Sequence, residues 1–123
     1  MNLLLVMSGG AVGAGARYLV GRAALAAFGS GYPWGTLAVN LGGGLAMGLL
    51  AGMVARESLG EPWQLLLGVG VLGGFTTFSA FSLEMAAMVE RGALAGALGY
   101  ALLSVAGSLL ALFAGLYAVR AAA

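Results

Sequence analysis

The sequence predicts an all-α membrane protein with four transmembrane helices, and three observations carry that prediction. Of the 123 residues, 62% are hydrophobic and only 7% charged, too little polar surface to clothe a soluble domain of this size. The charges and helix breakers fall at intervals that leave four apolar stretches, each long enough for the roughly 30 Å of hydrocarbon that about 20 helical residues cross. The connections between them are too short to hold a separate soluble unit. Residues 1–123 therefore read as one transmembrane domain.

The first span is drawn over residues 2–28, rich in glycine and carrying Arg17 near its middle. An arginine at that depth costs about 2.5–3.5 kcal/mol on insertion scales, so it either caps carbonyls of a neighbouring helix or attracts an anion; both readings stand. No basic residue precedes the apolar run, so a signal peptide is not expected. Residues 29–32, rich in small side chains, make the first turn, and the second span follows over 33–55 with Pro33 in its first helical turn. Gly44, Gly48 and Gly52 recur every fourth residue and predict a face for close helix packing. Thr36 and Asn40 share a face, and Asn40 lies about 10 Å beyond Pro33 at the helical rise. An amide at that depth needs a partner, either another helix or a ligand.

A charged loop at 56–61 leads to the third span, residues 62–89, opened by Pro62 and carrying Gly70 and Gly74 as a second packing pair. Its middle, residues 73–82, reads Gly-Gly-Phe-Thr-Thr-Phe-Ser-Ala-Phe-Ser. Polar sequence at membrane depth finds no water, so its groups need a protein partner, an ion or a cavity. The third helix is expected to break near residues 73–79, freeing carbonyls able to bind a small cation and starting a half-helix with free N–H groups. Phe78 and Phe81 share a face and alternate with Thr76, Thr77, Ser79 and Ser82. Their ring edges, the positive part of the quadrupole, could face an anion without offering a full charge. Glu84 is near enough to the span's end to snorkel, as a structural or vestibule-lining group.

Glu90 and Arg91 separate the third span from the fourth, residues 92–119, in which Tyr100, Ser104 and Ser108 form a hydroxyl stripe at intervals of four. Serines in such a stripe can instead bond carbonyls of their own helix. Tyr32, Trp34, Trp63 and Tyr117 fall near span ends, where amphipathic rings favour the interface.

Several function classes are excluded by what the chain lacks. Without histidine or cysteine there are no disulfides, no thiol chemistry and none of the usual zinc ligands. The absence of lysine removes the Walker A loop of a nucleotide-driven pump. No basic cluster exists to neutralise phosphates, so nucleic acid is not an expected partner, and an enzymatic role has few tools. Arg56 and Arg120 lie on one side of the membrane and Arg22 and Arg91 on or near the other, which leaves the basic-residue rule without a bias. A chain without a preferred orientation inserts both ways, and the two orientations pair about a twofold axis in the membrane plane as inverted repeats do. Orientation by some weaker cue is the alternative.

Three ordered motifs together resemble the signatures of the Fluc fluoride channels, also called the CrcB family: Gly-Gly-Ala-Val-Gly-Ala-Gly-Ala-Arg-Tyr at 9–18, Gly-Thr-Leu-Ala-Val-Asn-Leu-Gly-Gly at 35–43, and the polar run at 73–82. The resemblance covers nearly the whole chain. It implies a fluoride-selective channel for passive export of cytoplasmic fluoride, multi-pass in the plasma membrane and working as an antiparallel dual-topology homodimer with two pores. It implies a structural Na+ held by backbone carbonyls of Gly73 and Thr76 in both subunits. The implied fluoride pathway runs along Asn40, Phe78, Phe81, Tyr100, Ser104 and Ser108, with Thr77 beside them and Arg17 influencing the anion entrance. The third motif departs from the usual Phe-Ser-Thr-Phe by having Ala80, and Gly44-Leu45 stands where a serine or other small residue and a phenylalanine are common. Two other classes compete: a small proton-coupled multidrug exporter, which needs a carboxylate deep in a span, and a non-transporting scaffold subunit, which leaves Asn40 and the polar run unexplained.

Overall fold

The computed structural model describes residues 1–122. Four helical spans of 27, 22, 30 and 28 residues are long and apolar enough to cross a membrane. The first is α1 (Asn2–Phe28) and the second α2 (Trp34–Ala55). The third comprises α3 (Glu61–Trp63), a π-helical segment (Gln64–Leu72), α4 (Gly73–Phe75) and α5 (Ser79–Glu90). The fourth is α6 (Leu94–Ala121).

Local backbone chemistry places the boundaries. Gly29 takes φ 76° and turns its N–H onto Leu25 O at 2.9 Å, closing α1 in a conformation that suits glycine. Pro33 (φ −80°, ψ 62°) stands just outside α2 as its N-cap, one residue short of the first-turn position expected from the sequence. Pro62 does lie in a first helical turn. Gly92 takes φ 80° and belongs to the turn, so α6 starts at Leu94 and runs two residues past the expected end.

Spans one and three run parallel, as do spans two and four, and glycines set both contacts. Gly44 approaches Ser108 O, Gly48 approaches Leu112 O and Gly52 approaches Val119, so residue numbers rise together along α2 and α6. Gly9 and Gly13 meet the backbone at Leu66, Gly70 and Val71, while Gly74 meets Gly10. Lipid supplies no hydrophobic drive between helices, so backbone-to-backbone approach of this kind supplies the dispersion that holds spans together. The predicted packing roles of the glycines in spans two and three are met in these contacts. A Cβ at Gly48 would collide with Leu112 O. Gly48→Ala is accordingly expected to lower stability by at least the ~1–3 kcal/mol typical of overpacking, read as a fall in the thermal midpoint of the purified protein.

A compact cluster of Leu37, Phe81, Met88, Ala97 and Tyr100 locks α2, α5 and α6 together. Most large apolar side chains face outward, among them Leu83 at 72% and Phe78 at 76% exposure. For Leu83 lipid is an adequate neighbour; Phe78 stands beside polar groups.

Candidate functional site

The site is built where α4 ends. Thr76 is extended (φ −80°, ψ 157°), and both its N–H and its hydroxyl donate to Leu72 O at 3.0 Å, so the chain leaves the helix with that carbonyl doubly capped. Residue 77 follows, and its peptide groups are gripped by α2. The Asn40 amide accepts from Thr77 N–H through Oδ1 at 2.9 Å and donates to Thr77 O through Nδ2 at 2.9 Å. This two-point contact fixes the amide's orientation, because only Oδ1 can accept and only Nδ2 can donate. One Nδ2 hydrogen remains uncommitted. The Thr77 hydroxyl in turn accepts from Ala80 N–H at 3.2 Å, capping the start of α5.

A groove of about 490 Å³ opens beside this segment and gathers Asn40, Thr77, Phe78, Phe81, Ser104 and Ser108. Ser104 and Ser108 bring buried hydroxyls with no hydrogen-bond partner among the described residues. They lie one turn apart on α6 and do not fold back onto their own helix, the alternative that the sequence left open. An unmet hydroxyl in an apolar wall is costly to leave unpaired, and such groups mark a site for a ligand or water. The Phe78 and Phe81 rings are 5.5 Å apart between centroids and inclined by 41°. Phe81 is buried against Tyr100 at 5.0 Å, whereas Phe78 stands open.

Tyr100 belongs to the same helical stripe but not to the groove. It is fully buried, and its hydroxyl donates to Glu84 Oε1 at 3.0 Å, while Thr36 Oγ1 donates to Glu84 Oε2 at 3.0 Å. Glu84 therefore bridges α2 and α6 from α5, and it lines a cavity of about 310 Å³ that also meets Tyr32 and Arg91. The sequence marked Glu84 only as structural or vestibule-lining; its pairing with Thr36 and Tyr100 was not anticipated, since nothing in the spacing links residues 48 apart.

Arg17 reaches across from α1 and donates from Nε to Gly74 O at 3.2 Å. It lines a further cavity of about 280 Å³ together with Arg22, Thr36 and Thr77. Thr77 is common to this cavity and the groove, so the guanidinium and the hydroxyl-lined wall lie on either side of one residue. Of the two sequence readings of Arg17, the carbonyl-capping one is seen in this contact.

Residues 4–116 match the family model described as CrcB-like protein, Camphor Resistance (CrcB). The chain belongs to the CrcB family. Among relatives of this CrcB chain, the "Fluoride-specific ion channel FluC" of Chelativorans sp. is 58% identical over 120 residues, covering 97% of this chain and 96% of the relative. The protein of the same name from Phenylobacterium zucineum is 60% identical, with 96% and 94% covered, and that from Sphingopyxis alaskensis 57%, with 97% and 95% covered. Among the described residues no group of three or more carboxylates, histidines or cysteines could hold a metal ion.

Proposed function

We propose that this chain is a fluoride-selective channel that lets cytoplasmic fluoride leave passively, multi-pass in the plasma membrane and not an enzyme. The observation that carries the reading is the groove itself, which sets the spare Asn40 N–H and two unpartnered serine hydroxyls beside phenyl rings, with no full charge among its named donors. Fluoride is small and strongly hydrated, so a path must replace its water with donors before the ion enters. Neutral donors and ring edges can do this without trapping the ion, and conduction needs release as much as binding. Arg17, on the far side of Thr77, would draw anions toward the path by its field. The names of the relatives support fluoride as the ion.

The working unit in this reading is an antiparallel dual-topology homodimer, its third helices broken near residues 73–79. Two features support it. Phe78 is 76% exposed on a groove that also holds two unpartnered serine hydroxyls at membrane depth, a surface that a second copy covers better than lipid. Arg56 caps the end of α2 and Arg120 lies in the last turn of the parallel α6, while Arg22 and Arg91 sit toward the opposite end of the fold, so neither end dominates.

A structural Na+ at the centre of that dimer fits the oxygens present. Helix continuation would place Thr77 N–H on Gly73 O and Ala80 N–H on Thr76 O, but neither bond is formed. Both carbonyls are therefore without a backbone donor among the described residues, as hard cation ligands should be. Gly73 and Thr76 of each copy would hold the ion, which when bound ties the two copies together electrostatically.

The decisive measurement is efflux from liposomes. Fluoride is expected to leave at the same rate with or without a proton gradient, while chloride stays behind. Chloride passing as readily as fluoride would overturn the channel assignment, and flux that requires a proton gradient would favour the exporter. The exporter has no observation in its favour, since both oxygens of Glu84 are engaged away from the groove.

A further inference from the structure

We infer that Asn40 and Thr77 are positioning residues for the cation site, each acting as a side-chain acceptor in place of one of its two carbonyls. This rests on the sodium reading above and deepens it. In an unbroken helix a carbonyl points along the axis at the N–H four residues on, and it cannot swing to an ion lying off the axis. Thr77 N–H, the natural donor to Gly73 O, is held instead by Asn40 Oδ1 at 2.9 Å. Ala80 N–H, the natural donor to Thr76 O, is held instead by Thr77 Oγ1 at 3.2 Å. Two diversions free two carbonyls, one for each. Between them, Gly74 O is taken by Arg17 Nε, which withdraws a third oxygen from competition.

The same argument says what happens when a diverting group is removed. A backbone N–H at membrane depth has no water to turn to and must find another acceptor. For Thr77 N–H without the Asn40 amide, that acceptor is Gly73 O; for Ala80 N–H without the Thr77 hydroxyl, it is Thr76 O. The segment would wind by one further bond in each case, and the cation would lose a ligand. Asn40 thereby serves two ions at once: its Oδ1 holds open the cation's carbonyl, while its spare Nδ2 hydrogen faces the anion's groove.

The test is equilibrium binding of 22Na+ to the purified full-length protein, alongside its fluoride efflux. The parent is expected to bind 22Na+ saturably, and Asn40→Ala and Thr77→Val are each expected to weaken that binding at least tenfold. Thr77→Ser, which keeps the accepting hydroxyl, should restore it. Asn40→Asp keeps an oxygen that accepts from Thr77 N–H but replaces the Nδ2 donor to Thr77 O with a second acceptor: 22Na+ binding should fall less than in Asn40→Ala while fluoride efflux is lost. A parent without saturable 22Na+ binding would remove the sodium reading itself. If the parent binds and both Asn40→Ala and Thr77→Val bind with its midpoint, the sodium reading stands and the positioning role is overturned. If Asn40→Ala fails to fold, the Thr77→Val and Thr77→Ser pair decides for Thr77, and loss of 22Na+ binding in folded Asn40→Asp decides against Asn40.

Discussion

Two lysines added after Ala123 are expected to abolish fluoride efflux when that variant is expressed alone, and co-expression with an oppositely biased partner to restore it. The parent carries two arginines toward each end of the fold, Arg56 and Arg120 against Arg22 and Arg91, and no lysine. Orientation follows the excess of basic residues in short segments near the span ends, so two more at the end of α6 double the count on that side. A population with a single orientation cannot build an antiparallel pair. The chain has no cysteine, so a single one introduced at either terminus reports orientation by its accessibility to an impermeant thiol reagent. Full efflux from protein that labels from one side only would defeat dual topology.

Asn40→Asp, Phe78→Ile and Phe81→Ile are each expected to cut fluoride efflux at least tenfold, which corresponds to about 1.4 kcal/mol on the limiting barrier. Asp keeps the size of Asn40 and the acceptor for Thr77 N–H, but it replaces the spare amide hydrogen with negative charge in the groove. Isoleucine keeps apolar bulk and deletes the ring edge. The two phenylalanines should differ in what else they lose. Phe78 is open within a single copy, so its replacement should lower flux with a smaller fall in thermal midpoint than that of Phe81. Phe81 is buried against Tyr100 at 5.0 Å, so its replacement should lower both. Three folded variants passing fluoride at the parent rate would show that the groove is not the path.

Much of the candidate site is legible in the sequence because a bilayer makes polar residues conspicuous. Asn40, the polar run at 73–82 and the serine stripe are the groups that an apolar span cannot explain, and Asn40, Thr76, Thr77, Ser104 and Ser108 converge with Phe78 and Phe81 on one groove. The π-helical register of Gln64–Leu72 was not legible. Gly68 and Gly70 within it lie against Leu50 and Gly9, residues of two other spans that no local pattern links to this segment. Tyr100 shows the limit of spacing arguments most plainly. Its interval from Ser104 puts it on the right stripe, yet its longer side chain reaches Glu84 and leaves the groove to the two serines.

The sequence by itself determined the compartment, the number of spans, the balance of arginines and the depth of each polar group. Those follow from length and composition, which hydrocarbon thickness and the absence of water constrain residue by residue along the chain. Only the tertiary structure decided which partner each polar group takes: Asn40 with the Thr77 peptide, Thr36 and Tyr100 with Glu84, Arg17 with Gly74 O. Several donors and acceptors of similar chemistry compete at similar depth, and hydrogen bonds work only within a few tenths of an ångström. The choice among them is made by helix register, which the glycine contacts of α2 with α6 and of α1 with the third span impose from far away in the chain.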